Sequence, residues 1–212
     1  MLLKEVALEN YTNIPAAVAA GAKRIELNDN LAVGGTTVSR GVMAEAAKYT
    51  QEHGVSLVAM IRPRGGNFVY NDTELKIMEA DLLQAQALGV DAVTFGALTA
   101  AGELDTEAMS LLVGAAGGMS IVFHMAFDAL APDQQAPAMD WLVEHQVDRI
   151  LTHGGPLANP IADCLPQLKA TIEMAAGRIQ ILPGGGITAD NVNQLTTALN
   201  LKQAHGTKII AY

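Results

Sequence analysis

Cysteine is nearly absent: Cys164 stands alone in the chain. That excludes an intramolecular disulfide framework and any metal site built from a cysteine cluster. Aromatic residues are scarce too, at 4% against 50% hydrophobic overall, so a core must come from Ala, Leu, Val and Ile, as where helices cover a sheet. Cations are outnumbered, and the formal net charge of −9 argues against nucleic-acid binding while leaving room for a local basic pocket. Long apolar runs are missing: no run that is both uncharged and apolar throughout approaches the roughly 20 residues of a membrane span. The opening Met1-Leu2-Leu3-Lys4-Glu5 lacks the basic and apolar regions of a secretory signal. A soluble cytoplasmic protein without membrane or nucleic-acid partners, folded as a single domain over residues 1–212, is the expectation.

What the chain does have is strict alternation. Short apolar runs predict strands at Lys4–Leu8, Arg24–Asn28, Ser56–Ile61, Ala92–Phe95, Ser120–His124, Arg149–Thr152, Arg178–Leu182 and Gln203–His205. Amphipathic stretches between them predict helices at Ile14–Ala20, Arg40–His53, Asp72–Leu88, Asp105–Ala116, Gln134–His145, Pro160–Ala176 and Ala189–Leu199. Asn71 and Asp105 stand where N-caps belong. Gly21, Gly54, Gly89 and Gly177 punctuate the return from helix to strand, and Gln146 occupies the same place without being glycine. This cadence implies parallel strands with helical crossovers. No G-x-G-x-x-G follows the first strand, which weakens a dinucleotide-binding sheet. The predicted fold is therefore an α/β TIM-type (β/α)8 barrel at the compact end of its range. Only Gly206–Tyr212 follow the eighth strand, so the final helix is short or missing, and a homo-oligomer, dimer or tetramer, is expected to cover the gap.

In such a barrel the carboxyl ends of the strands converge on one mouth. The third strand ends in Arg62-Pro63-Arg64-Gly65-Gly66; Pro63 stops the ladder and leaves Arg62 and Arg64 as candidate anion ligands. Loop arginines paired with nearby carboxylates are the alternative reading. Glu26 and Asn28 share one strand face. Glu26, His124 and Asp128 are the candidate acid–base groups, with an imidazole–carboxylate pair between His124 and Asp128 in view. His153 and His205, each followed by glycine, are candidate ligand-binding residues, as are Gly184, Gly185 and Gly186. The triple glycine is expected to lead into a helix N-terminus and cradle an anion with backbone amides, a plain tight turn being the alternative. His53 and His145 close helices and read as structural, and the methionines read as core filler.

Taken together, Arg24-Ile25-Glu26-Leu27, Gly34-Gly35-Thr36-Thr37, Ile61 to Tyr70 with its Arg-Pro-Arg block, Phe95-Gly96-Ala97-Leu98, His124-Met125-Ala126-Phe127-Asp128, Arg149-Ile150-Leu151-Thr152 and Pro183-Gly184-Gly185-Gly186 resemble the CutC family. The resemblance covers nearly the whole chain. It implies a TIM-type barrel, a cytoplasmic and oligomeric protein, and a role in copper homeostasis through copper(I). The cysteines proposed as copper ligands in that family correspond to Ala7 and Asn28, so no metal ligand carries over. Two functions follow: copper homeostasis by resemblance, and, from the residues, an enzyme acting on a small anionic or phosphorylated metabolite.

Overall fold

The computed structural model describes residues 2–212, and each short apolar run becomes a strand. They are β1 (Leu3–Glu9), β2 (Arg24–Asn28), β3 (Ser56–Met60), β4 (Ala92–Phe95), β5 (Ser120–Phe123), β6 (Arg149–Thr152), β7 (Gln180–Pro183) and β8 (Gln203–Gly206). Between them run α1 (Ile14–Ala19), α2 (Arg40–Glu52), α3 (Asp72–Ala87), α4 (Thr106–Ala115), α5 (Pro132–Glu144), α6 (Leu165–Ala175) and α7 (Val192–Leu199). All neighbouring strands are parallel, in the order β8, β1, β2 and on through β7. The result is a nearly closed TIM-type (β/α)8 barrel with seven helices. No helix follows β8, as the sequence predicts.

Local chemistry explains the element ends. Asn71 caps α3 in a capping box, accepting from Thr73 N and Glu74 N while Glu74 accepts from Asn71 N. Asp105 caps α4 by accepting from Ala108 N at 3.0 Å. Two aspartates before strands do something less visible in sequence. Asp91 accepts from Leu57 N at 2.8 Å and Asp148 from Ile121 N at 2.7 Å, so each ties its strand's start to the preceding strand. Two helix boundaries depart from expectation. The sixth predicted helix divides into a 3-10 turn, Ile161–Cys164, and α6, which has Pro166 in its first turn where the missing N–H costs no bond. The seventh starts at Val192 rather than Ala189 because Asn191 accepts from Thr188 N at 2.9 Å and donates to Gly186 O at 2.9 Å. The triple glycine therefore leads into an asparagine-braced turn, with the helix starting six residues beyond Gly186.

Inside the barrel, period-two alternation and parallel register sort side chains into two unlike halves. Val58, Ala92, Val122, Leu151 and Leu182 form an apolar cluster across β3 to β7. Across β8, β1 and β2, Glu5 stands beside Arg24 and His205 in register, with Glu26 beside Ala7. One joint differs from the others: no ladder joins β7 to β8 among the described residues. Gln203 Nε2 donates to Gln180 Oε1 at 3.0 Å there, and above it Thr188 bridges to Lys208.

The helix-to-strand returns give a direct stability test. Gly89 has φ of 72° and Gln146, its counterpart after α5, has φ of 60°. Glycine adopts this backbone freely, whereas a side chain costs roughly 1 kcal/mol. Gln146 is exposed, so Gln146→Gly is expected to stabilise the protein by about 0.5–1 kcal/mol, read as a higher denaturant midpoint with unchanged m-value.

Candidate functional site

The charged half of the interior is built on Glu5, which is 1% exposed. Arg24 Nε donates to one carboxylate oxygen, and the other lies 2.8 Å from His205 Nδ1. Arg24 also donates to Gln203 Oε1 at 2.9 Å. Burial works against the Glu5 anion, but the His205 hydrogen bond and the charges of His205, Arg24 and Arg149 outweigh it and hold the carboxyl below its usual range. His205 Nε2 faces Glu26 Oε2 at 3.7 Å. Asn28 Nδ2 donates to that same Oε2 at 2.9 Å, while Glu26 Oε1 has no partner. Burial raises the Glu26 carboxyl and the Glu5 charge pushes the same way; the His205 charge offsets part of this. Burial alone would lower His205, but the two carboxylates outweigh it and raise it.

Above this floor opens a cavity of about 600 Å³, within the range of small-molecule sites. Its wall is mostly apolar, from Ala7, Leu31, Met60, Phe68, Leu151 and Ile187, and its polar groups are few: Glu26, Asn28, Arg62, His124, His205 and Lys208. Gly185 and Gly186 lie at its edge. His124 is buried, and its Nδ1 accepts from Ala126 N at 3.2 Å. That bond fixes the tautomer with the proton on Nε2, which has no acceptor. Burial and then the charge of Arg62 lower the His124 pKa to about 3, so the ring is neutral.

The residues singled out from sequence fall into separate groups. Glu26, Arg62, His124, His205, Gly185 and Gly186 meet at the cavity. Arg62 uses much of its fork on the scaffold, donating to Val33 O, Gly35 O and Gly66 O at 2.9, 3.0 and 2.8 Å and lying 4.9 Å over Phe68. Only its Nε is without a partner. Arg64 points elsewhere: it pairs with Glu74 and donates to Asn67 O and Val69 O. Asp128 does not reach His124. It accepts from Thr152 Oγ1, His153 N and Gly154 N at 2.5, 2.9 and 3.0 Å, stapling the loop after β6. Burial raises its carboxyl, against those hydrogen bonds. His153 sets both ring nitrogens against backbone oxygens, Gly184 O at 3.0 Å and Asn159 O at 3.1 Å. Gly184 donates to Thr152 O, and a Cβ there would stand 3.0 Å from Met125 Cε and 3.2 Å from His205 Cδ2. Its missing side chain makes room for the site wall. Sequence reasoning left out Lys208 and the Glu5–Arg24–Arg149 support. Charged residues at alternate positions of an apolar strand, Arg24 and Glu26, were the signal for the second of these.

Metal binding can be tested on the donors present. Glu5, Glu26 and His205 hold ligand-type atoms within 4.8 Å of one another, but Glu5 is already engaged and Arg24 and Arg149 supply cationic charge beside it. These oxygen and nitrogen donors are also the wrong kind for copper(I), which prefers thiolates and thioethers. Ala7 and Asn28 both line the cavity and neither carries sulfur. Met60 and Met125 offer thioethers, while Cys164 is buried away from the cavity, beside Gly154 and Gly155. The set does not fit a cysteine-bound copper(I) ion.

Comparison with known proteins gives a consistent picture. The model of the CutC family matches residues 2–210. A CutC family protein from Enterococcus faecalis is 54% identical over 209 residues, covering 99% of this chain and 100% of that one. The human copper homeostasis protein cutC homolog is 37% identical over 203 residues, covering 96% of this chain and 72% of the human one. A crystal structure of a CutC protein from Streptococcus agalactiae has a TM-score of 0.95 at 48% identity, covering 99% of this chain and 100% of that one.

The neutral His124 has a consequence for acid stability. Its folded pKa of about 3 lies below its ordinary 6.5. The contribution is complete above 6.5 and is lost as pH falls from there toward 3, because the unfolded chain takes up the proton first. Wild type is expected to lose up to about 1.4 kcal/mol per pH unit more than His124→Phe in that window, measured by denaturant melts between pH 7 and pH 4. Equal slopes would contradict a neutral buried ring.

Proposed function

Since the chain belongs to the CutC family, we propose that it serves copper homeostasis in the cytoplasm through a small organic anion held in the barrel mouth. The carrying observation is the cavity itself, about 600 Å³ of mostly apolar wall with a few polar groups. That volume is far larger than a bare ion needs and suits a ligand of several heavy atoms. The setting comes from the human and mouse relatives, which are named copper homeostasis protein cutC homologs. The sign of the ligand follows from the floor: Arg24 and Arg149 stand by Glu5, the two carboxylates raise His205, and Arg62 and Lys208 add cations to the lining. These cations outnumber Glu5 and Glu26, which favours an anion. Among the described residues no helix is long and apolar enough to cross a membrane.

One titration series tests this reading. Small carboxylates and phosphates are expected to raise Tm, as ligands of the folded state do, and Lys208→Ala is expected to reduce the rise. Copper(I), titrated against a competing chelator, is expected to bind no tighter than micromolar. Tight copper(I) binding with no response to anions would replace this reading with direct copper carriage through Met60 and Met125. The homo-oligomer expected from the missing last helix belongs to the same proposal, and sedimentation at micromolar concentration checks it: a monomer would remove it.

A further inference from the structure

Four buried polar atoms on residues lining the cavity have no partner in the protein: Asn28 Oδ1, which stands close against Gly35, and Glu26 Oε1, His124 Nε2 and Arg62 Nε, which remain for a ligand. The last three sit on residues that are only 3%, 3% and 4% exposed. A buried polar group without a partner is costly, and native proteins keep few of them. Of these three, one atom is a proton acceptor. The other two are N–H donors, since the tautomer of His124 is set by its bond from Ala126 N. The acceptor stands on the β8–β1–β2 side and the donors follow β3 and β5, so a ligand in the cavity meets both.

A simple carboxylate ion would satisfy the two donors and leave the Glu26 oxygen facing nothing suitable. The complementary ligand carries an acceptor oxygen and, a short distance away, an acidic hydrogen. A carbonyl compound with a hydrogen on the adjacent carbon is such a ligand. We propose that the cavity is an enolisation site, in which Glu26 exchanges a proton with the carbon beside a carbonyl of a small anionic compound while the Nε2–H of His124 and the Nε–H of Arg62 hold the carbonyl oxygen. This rests on the small-anion reading given above.

The step balances without a redox partner or a metal. The C–H bond breaks and its proton goes to Glu26 Oε1. The bonding pair becomes the enolate double bond, and the carbonyl π pair moves onto the oxygen facing His124 and Arg62. Return of the proton from Glu26 to carbon regenerates a carbonyl compound. Donors fixed where charge develops supply stabilisation with little reorganisation. A neutral imidazole donates without giving up its proton at any working pH, and burial beside Arg62 keeps His124 in that state. The other Glu26 oxygen is held by Asn28 Nδ2 at 2.9 Å and faces His205 Nε2 at 3.7 Å. Asn28, His205 and Glu5 are thus positioning residues that leave Oε1 as the reacting oxygen.

Proton exchange into heavy water, followed by NMR, tests this with dihydroxyacetone phosphate and pyruvate as probes, one ending in phosphate and one in carboxylate. Glycolohydroxamate, a planar enediolate mimic, is followed in parallel by thermal melts. Wild type is expected to wash deuterium into the carbon beside the carbonyl of one probe, and the probe chosen identifies the anionic end. Glu26→Gln is expected to slow this by about 100-fold or more, the scale of a lost general base. His124→Phe is expected to slow it by a similar factor, as for a lost oxyanion donor. Glycolohydroxamate is expected to raise Tm in wild type and in Glu26→Gln, which also shows that the variant is folded. Stabilisation by the mimic without exchange of either probe overturns the enolisation site and leaves the small-anion reading standing. Neither exchange nor stabilisation by any anion overturns both.

Discussion

Burying a carboxylate at the centre of a barrel is tolerable only when cations and donors surround it. Glu5 meets that condition through Arg24, His205 and the field of Arg149. The rest of the site depends on this arrangement. With Glu5 charged, His205 is anchored through Nδ1 and turns Nε2 toward Glu26. With His205 Nε2 facing it at 3.7 Å and Asn28 Nδ2 donating to it at 2.9 Å, one oxygen of Glu26 is fixed and the other is left without a partner. The chain of dependence runs from β1 through β8 to β2, and these strands are neighbours in the ring. The apolar half, from Val58 to Leu182, fills the rest of the interior across β3 to β7.

The arginines divide their labour in a way that composition does not reveal. Arg62 braces three backbone oxygens of the loops after β2 and β3 and packs over Phe68. It therefore shapes the mouth while leaving one N–H unengaged. Arg64, two residues on, fastens the loop after β3 to the start of α3 through Glu74, which also belongs to that helix's capping box. The Arg-Pro-Arg block is thus one brace facing inward and one facing outward, with Pro63 as the divider between strand and loop. Asp128 plays a comparable part for the loop after β6, where its oxygens collect one hydroxyl and two amides.

All eight strands were legible in the sequence: branched apolar residues mark β1 to β7 at short intervals, and the alternating cadence places β8, whose Gln203-Ala204-His205-Gly206 has none. Helix starts were harder wherever side-chain bonds compete with the helix. Asn191 holds Thr188 and Gly186 in a turn and delays α7, and nothing in the spacing Ala189 to Leu199 shows that. At the site, Glu26, Arg62, His124 and His205 could be placed at the mouth from strand ends alone. The partners of those side chains could not, since they depend on angles and distances across the barrel. His124 and Asp128 lie four residues apart and suggest a pair, yet the 3-10 turn Met125–Ala129 directs them to different neighbours. Lys208 lies beyond the last predicted strand and reaches the mouth because the tail after β8 runs on parallel to the segment at Thr188.

Seven backbone ladders make a hoop, and the β7–β8 joint is its clasp, fastened by the Gln180–Gln203 amides and by Thr188 with Lys208. A ladder fixes strand spacing at about 4.8 Å, whereas a side-chain clasp has rotamers and therefore slack. His205 sits on β8, the strand beside that clasp. Ladders through β1 fix His205 relative to Glu26, so the separation between His205 and the β7 wall is the adjustable dimension of the floor, and the residues that set it, Gln180 and Gln203, lie at the opposite end of their strands from the mouth.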